Sequence, residues 1–173
     1  MFVGIYNELK NSVHLIGDTF MEKELNSFSR GLRDGIPICL GYLSVAFAFG
    51  IFTVGHGLTI WEAVMISMTT VTSAGQLAAV PIIAGGGSLF ELALAPFVIN
   101  MRYSLMSVSL SQRLSKSVRL LDRFLISFVN TDEVFAVAIS KNAPLGRKYL
   151  YGLTLTPYLG WSAGTLLGSA AGN

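Results

Sequence analysis

Hydrophobic and polar positions fall along this chain in long blocks rather than at short periods. Three stretches, 35–61, 63–90 and 149–173, contain no Lys, Arg, Asp or Glu. An α-helix needs roughly 20 consecutive apolar residues to cross a bilayer, and each stretch exceeds that. A further span is predicted at 92–112, which carries Asn100 and Arg102 in its interior. A fifth apolar run, 124–140, is shorter and holds Asp132 and Glu133 near its middle. The pattern predicts an all-α integral membrane protein with about five membrane segments.

The first 30 residues differ. Apolar Val13, Ile16, Phe20, Leu25 and Phe28 are scattered among charges. Residues 1–30 read as a cytoplasmic tail or surface helix ahead of a transmembrane domain at 31–173. Glu8 and Lys10 interrupt any secretory apolar core, so the first span is expected to serve as the insertion signal.

Composition narrows the function classes. Charged residues are 13% of the chain and hydrophobic residues 52%, with a mean hydropathy of +0.59. Soluble domains carry about 25% charged residues. A soluble enzyme, a nucleic-acid binder and a disordered chain are therefore excluded, and the bilayer is the implied partner. The net charge of +2 is too small to recruit a polyanion. The single cysteine, Cys39, makes no internal disulfide.

Basic residues gather in three places: Lys10, Lys23, Arg30 and Arg33; Arg113, Lys116, Arg119 and Arg123; and Lys141, Arg147 and Lys148. Positive loops prefer the cytoplasm, so the N-terminus is expected there. Two arrangements stay open. Five plain spans leave the middle cluster outside. Re-entrant hairpins at 63–88 and 124–140 would bring all three clusters to one side. Weak internal similarity fits the second arrangement. The block from Thr72 to Ile82 lines up with Val129 to Ile139, and Leu92-Ala-Leu-Ala-Pro-Phe-Val with Leu153-Thr-Leu-Thr-Pro-Tyr-Leu. With the hairpins, this duplication becomes an inverted repeat with broken or re-entrant helices, a common transporter plan. Gly75, Pro81 and Gly85-Gly-Gly supply break points.

Three polar features carry candidate chemistry. In Ser73-Ala-Gly-Gln76, a helix break at Ser73 and Gly75 would free backbone N–H groups to hold a carboxylate, with Gln76 adding an amide. Hydroxyls bonded to their own backbone are the bland alternative. Asp132 and Glu133 are costly at membrane depth and are candidates for a proton or ammonium site, unless the segment is shallow and both are solvated. Asn100 and Arg102 form a third candidate, since Arg102 keeps its charge and needs an acid or a cavity. Gly160, Gly164 and Gly168 repeat every four residues, the spacing of a helix-packing face, and Gly41, Ala46 and Gly50 are read the same way. Catalysis finds no support. No phosphate loop, metal-ligand cluster or cofactor motif is present in the sequence, and His56 reads as a loop residue.

The ordered set of motifs resembles the AzlC family. The run Gly35-Ile-Pro-Ile-Cys-Leu-Gly-Tyr-Leu-Ser-Val-Ala-Phe-Ala-Phe-Gly50 is similar to its opening pattern. Ser73-Ala-Gly-Gln-Leu-Ala-Ala, Asn100-Met-Arg-Tyr-Ser-Leu-Met and Thr131-Asp-Glu resemble its later motifs, in the same order. Tyr103 stands where the family usually has His. The resemblance implies the large subunit of a branched-chain amino acid exporter in the bacterial cytoplasmic membrane. It implies export of leucine, isoleucine or valine, sometimes methionine, by secondary transport with ion or proton coupling. It also implies a small AzlD-type partner subunit, and further apolar segments after Asn173. A passive small-solute channel and a non-transporting assembly subunit are the alternatives.

Overall fold

A computed structural model describes residues 26–173. The expected tail or surface helix over residues 1–25 lies outside the described residues. Seven helices follow: α1 (Phe28–Gly55), α2 (Ile60–Thr70), α3 (Ser73–Ala84), α4 (Leu89–Ser111), α5 (Leu120–Phe128), α6 (Asp132–Ile139) and α7 (Arg147–Gly172). No strand forms among the described residues, only a single bridge between Leu114 and Leu145. The first helix among the described residues begins at Phe28, so the expected boundary at residue 30 falls inside α1.

The five apolar segments thus become seven helices, because two of the five are broken. Residues 63–84 lie in α2 and α3, which are interrupted at Val71 and Thr72, and Leu89 and Phe90 already belong to α4. Val71 takes a left-handed conformation (φ 33°) and Thr72 an extended one. A positive φ costs a β-branched residue about 1–2 kcal/mol. Burial of Val71 and Thr72 holds the break in place. Residues 124–140 lie in α5 and α6, interrupted at 129–131 by tight backbone turns from Val129 to Ile126 and from Thr131 to Val129. The broken helices have 8 to 12 residues. At 1.5 Å per residue they reach about 12–18 Å, roughly half a hydrocarbon core. By contrast α1, α4 and α7 have 28, 23 and 26 residues. By length and composition, α1 and α4 suffice to cross a membrane.

Side-chain caps explain where the far-end helices start. Thr59 and Glu62 form a capping box on α2, and Ser88 and Glu91 form one on α4. Both acids satisfy N–H groups that would otherwise lack partners.

The frame is a pair of parallel helices. Gly31 packs on the Tyr149–Leu153 backbone, Gly160 on Cys39, Gly164 on Leu43, Gly168 on Phe47 and Gly172 on Ile51. Each step along α1 is matched by a step along α7, so the two run in the same direction. A Cβ on Gly160 would lie 2.9 Å from the Cys39 carbonyl oxygen, and one on Gly164 would lie 2.6 Å from that of Leu43. These glycines pack backbone against backbone, as does Gly50 against Thr165 and Ser169, while the Ala46 methyl fits beside Gly164. Gly41 is the exception to the expected packing face: open space surrounds its Cβ position.

Polar contacts fix the ends of the bundle. Asn26 binds Pro144 and Gly146, Leu145 exchanges backbone hydrogen bonds with Arg113 and Ser115, and Lys141 pairs with Asp34 at 2.7 Å. Asp34 also accepts from Tyr149 and pairs with Arg30. The start of α1, the end of α4 and the start of α7 therefore share one end. The α5–α6 segment leaves and returns at that end, and all three described groups of basic residues lie there. Segment α2–α3 leaves and returns at the opposite end, between the end of α1 and the start of α4. The order of short helix, break, short helix and long helix occurs twice. The helices after the breaks start at Ser73 and Asp132, so Thr72 corresponds to Thr131. The sequence block match that paired Thr72 with Val129 is two residues out of step. Apolar segments align at several offsets, whereas the helix start fixes one.

Gly168→Ala would press a methyl into the Phe47 carbonyl. Such overpacking costs about 1–3 kcal/mol. We expect a clear fall in the melting temperature of the detergent-solubilised protein. Gly55→Ala, whose Cβ meets open space, should leave it unchanged or raise it.

Candidate functional site

The two breaks meet at a cavity of about 450 Å³ halfway along the bundle. Its walls are Pro37, Ile38, Gly41, Tyr42 and Val45 from α1, Val71 to Ser73 at the first break, and Thr131 to Glu133 at the second. Arg102 and Tyr103 of α4 and Trp161 of α7 complete it. The volume falls within the roughly 300–1,000 Å³ of small-molecule sites.

The floor of the site is two helix starts. Thr72 and Thr131 are the N-caps of α3 and α6, and neither side chain caps its helix. The first backbone N–H groups of such helices have no intrahelical acceptor and carry a partial positive charge. Thr72 instead donates to Asn100 Oδ1 at 2.8 Å, which fastens the first break to α4. At the second break the charges are arranged in a chain. Arg102 Nη1 lies 2.8 Å from Asp132 Oδ2, and both side chains remain about half exposed to the cavity. The Tyr42 hydroxyl lies 2.6 Å from Thr131 Oγ1 and also contacts the Glu133 carboxylate. One phenolic proton serves one acceptor, so Tyr42 donates to Glu133 and accepts from Thr131. Trp161 packs edge-on against Tyr42, with ring centroids 5.1 Å apart.

Of the residues singled out in the sequence, Ser73, Arg102, Asp132 and Glu133 line this cavity together. Gly75, Gln76 and Asn100 do not line it. Gly75 lets α3 approach α4, since a Cβ there would lie 3.0 Å from the Asn100 amide nitrogen. Gln76 is fully buried. It donates to the Ile66 carbonyl at 3.2 Å and accepts from the Trp161 indole at 3.1 Å. Its amide therefore bridges the two halves of the broken segment and holds Trp161 at the cavity wall. Gly160, Gly164 and Gly168 sit in the helix interface. His56 caps α1, with its Nδ1 2.8 Å from the Phe52 carbonyl.

Tyr42, Trp161 and Thr131 also shape the site without standing out as site residues in the sequence, and so does Thr72, one of the hydroxyls of the polar run 69–76. A hydroxyl-bearing aromatic beside Gly41 in a charge-free run was the available signal for Tyr42. Among the described residues no His/Cys/Asp/Glu group is arranged to hold a metal.

This geometry defines a class: helical membrane proteins in which two broken helices, entering from opposite ends, meet at a central polar cavity. The chain belongs to the AzlC family, whose AzlC protein description matches residues 37–173. It is 30% identical over 151 residues to the inner membrane protein YgaZ of Escherichia coli K12, covering 85% of this chain and 62% of that protein. An uncharacterized membrane protein of Archaeoglobus fulgidus is 33% identical over 146 residues, covering 84% and 63%. One from Helicobacter pylori strain 26695 is 24% identical over 156 residues, covering 88% and 68%. The chain thus spans less than two thirds of the first two relatives. No solved structure matches it significantly.

Gln76→Leu would leave the buried Trp161 N–H without a partner, whereas the Ile66 carbonyl keeps the Thr70 hydroxyl. One such orphaned group costs about 1–3 kcal/mol. The expected result is lower thermal stability together with a shift in the tryptophan emission.

Proposed function

We propose that this chain is the large subunit of a secondary exporter of branched-chain amino acids. In this reading it works in the bacterial cytoplasmic membrane with a small AzlD-type membrane subunit. The observation that carries the proposal is the meeting of two uncapped helix starts with Arg102, Asp132 and Glu133 in one cavity. A zwitterion needs opposite charges a few ångströms apart, and this cavity offers both. The substrate carboxylate takes the α3 start at Ser73 together with Arg102. The ammonium takes Glu133, once it displaces the Tyr42 hydroxyl, or Asp132, once Arg102 turns to the carboxylate. Ile38, Val45, Val71 and Trp161 supply an apolar wall for the branched side chain. Such a wall discriminates one methylene by only about 1–3 kcal/mol, so leucine, isoleucine, valine and methionine are all accepted.

The sidedness follows the positive-inside rule. The end carrying Arg30, Arg33, Arg113, Lys116, Arg119, Lys141, Arg147 and Lys148 faces the cytoplasm. Segment α5–α6 then re-enters from the cytoplasm and α2–α3 from outside, and the two repeats are inverted. Half-helices meeting near the bilayer midplane are the arrangement around which alternating access operates. The carboxylates at the second break are the groups available to carry a coupled proton.

The test is leucine efflux from preloaded cells that produce this chain with an AzlD-type subunit. We expect saturable efflux that falls about tenfold or more in Glu133→Gln and in Asp132→Asn, the order of magnitude for loss of one hydrogen bond to a charged group. Non-saturating flux whose selectivity alone changes in these variants would favour a channel. Absence of efflux from inserted, stable protein would refute the transporter reading.

A further inference from the structure

Away from the central cavity, the cytoplasmic end in this reading carries a second site built from two adjoining parts. One is a polar cradle of about 500 Å³ lined by Lys116, Arg119, Arg147, Lys148, Ser115 and Ser117. The other is an apolar groove of about 780 Å³ between α5 and α7, lined by Leu125, Phe128, Tyr151, Leu155 and Tyr158, with Phe28 at its side. Arg147 and Lys148 line both, so the cradle and the groove adjoin. None of the four cations forms an ion pair among the described residues, where the pairs are made by Arg30, Arg102 and Lys141. The nearby acid, Asp122, accepts from the Arg119 backbone N–H at 2.9 Å and the Tyr151 hydroxyl at 2.7 Å, and its charge offsets only part of the positive field of Arg119 and Arg147.

We propose that this site holds one anionic phospholipid, with its phosphate among Lys116, Arg119, Arg147 and Lys148 and an acyl chain along the groove. The charge complementarity selects the headgroup. Clustered Lys and Arg at the membrane surface attract anionic lipid, and each contributes to the preference. The groove selects a lipid over a soluble anion. Leu125, Phe128 and Leu155 are exposed along it, and a free phosphate would leave that apolar surface uncovered. The aromatic rings of Tyr151 and Tyr158 line the groove along α7, where an acyl chain would lie. The consequence is mechanical: a lipid wedged between α5 and α7 braces the re-entrant α5–α6 segment against the frame helix.

Native mass spectrometry of the full chain in detergent, with phosphatidylglycerol or phosphatidylcholine of matched chains, tests this. We expect one retained phosphatidylglycerol and a preference over phosphatidylcholine of about tenfold. The preference should vanish in Arg147→Gln/Lys148→Gln and, separately, in Lys116→Gln/Arg119→Gln. Leu155→Trp, which narrows the groove without touching a charge, should weaken retention of phosphatidylglycerol. Millimolar inorganic phosphate should not displace the lipid. Equal retention of the two lipids, survival of the preference in both double variants, or displacement by inorganic phosphate would each overturn the proposal. A homodimer that excludes lipid from the groove would overturn it as well.

Discussion

The backbone contact between α1 and α7 is the constraint on which the rest of the structure depends. In lipid, burial of apolar side chains gives little drive for helices to associate, because the solvent is itself apolar. Close approach must supply the attraction through dispersion and weak Cα–H to carbonyl contacts. Gly31, Gly50, Gly152, Gly160, Gly164 and Gly168 remove the side chains that would prevent it. The parallel direction of the pair then decides the topology. Two helices running the same way must be separated by a return, and α4 provides it. The other faces of α1 and α7 remain open for the broken segments.

A broken helix inside a membrane exposes backbone polar groups that hydrocarbon cannot satisfy. The molecule handles the two breaks differently. At the first, neutral groups are tied together: Thr72 to Asn100, Gln76 to Ile66 and to Trp161. At the second, charges do the work: Asp132 pairs with Arg102, and Glu133 is held by Tyr42. Both frame helices contribute, Tyr42 from α1 and Trp161 from α7, and the two rings touch. The site is therefore positioned by the same helix pair that holds the fold. Both helix starts leave N–H groups uncapped, and the breaks differ in that the carboxylates, with Arg102, gather at the second.

Much of this was legible in the sequence for a physical reason. Runs without charge mark membrane segments because charged groups are costly in hydrocarbon. Ser73, Arg102, Asp132 and Glu133 stood out because polar groups in such runs need a partner. The four-residue glycine spacing on α7 marked the interface. Other features left no trace of that kind. Tyr42 and Trp161 look like lipid-facing or packing aromatics until the helix rotation is known. Gln76 carried the signal of a polar residue in an apolar run, yet that signal does not say whether the partner is a ligand or the protein. Here it is Ile66 and Trp161. Gly41 matched the small-residue pattern but faces the cavity, because the interface stripe on α1 lies on the face carrying Gly31, Gly35, Ala46 and Gly50.

The central claim is that two broken helices enter from opposite faces of the membrane and meet in the middle. Single cysteines introduced in a Cys39→Ala background, at Lys116 and Asn142 around α5–α6 and at His56 and Leu89 around α2–α3, test it most directly. With a membrane-impermeant thiol reagent, the account predicts that Lys116→Cys and Asn142→Cys are labelled from the cytoplasmic side only. His56→Cys and Leu89→Cys should be labelled from the external side only. Labelling of the Lys116 and Asn142 positions from opposite sides would mean that 120–139 crosses the membrane, and would contradict the account.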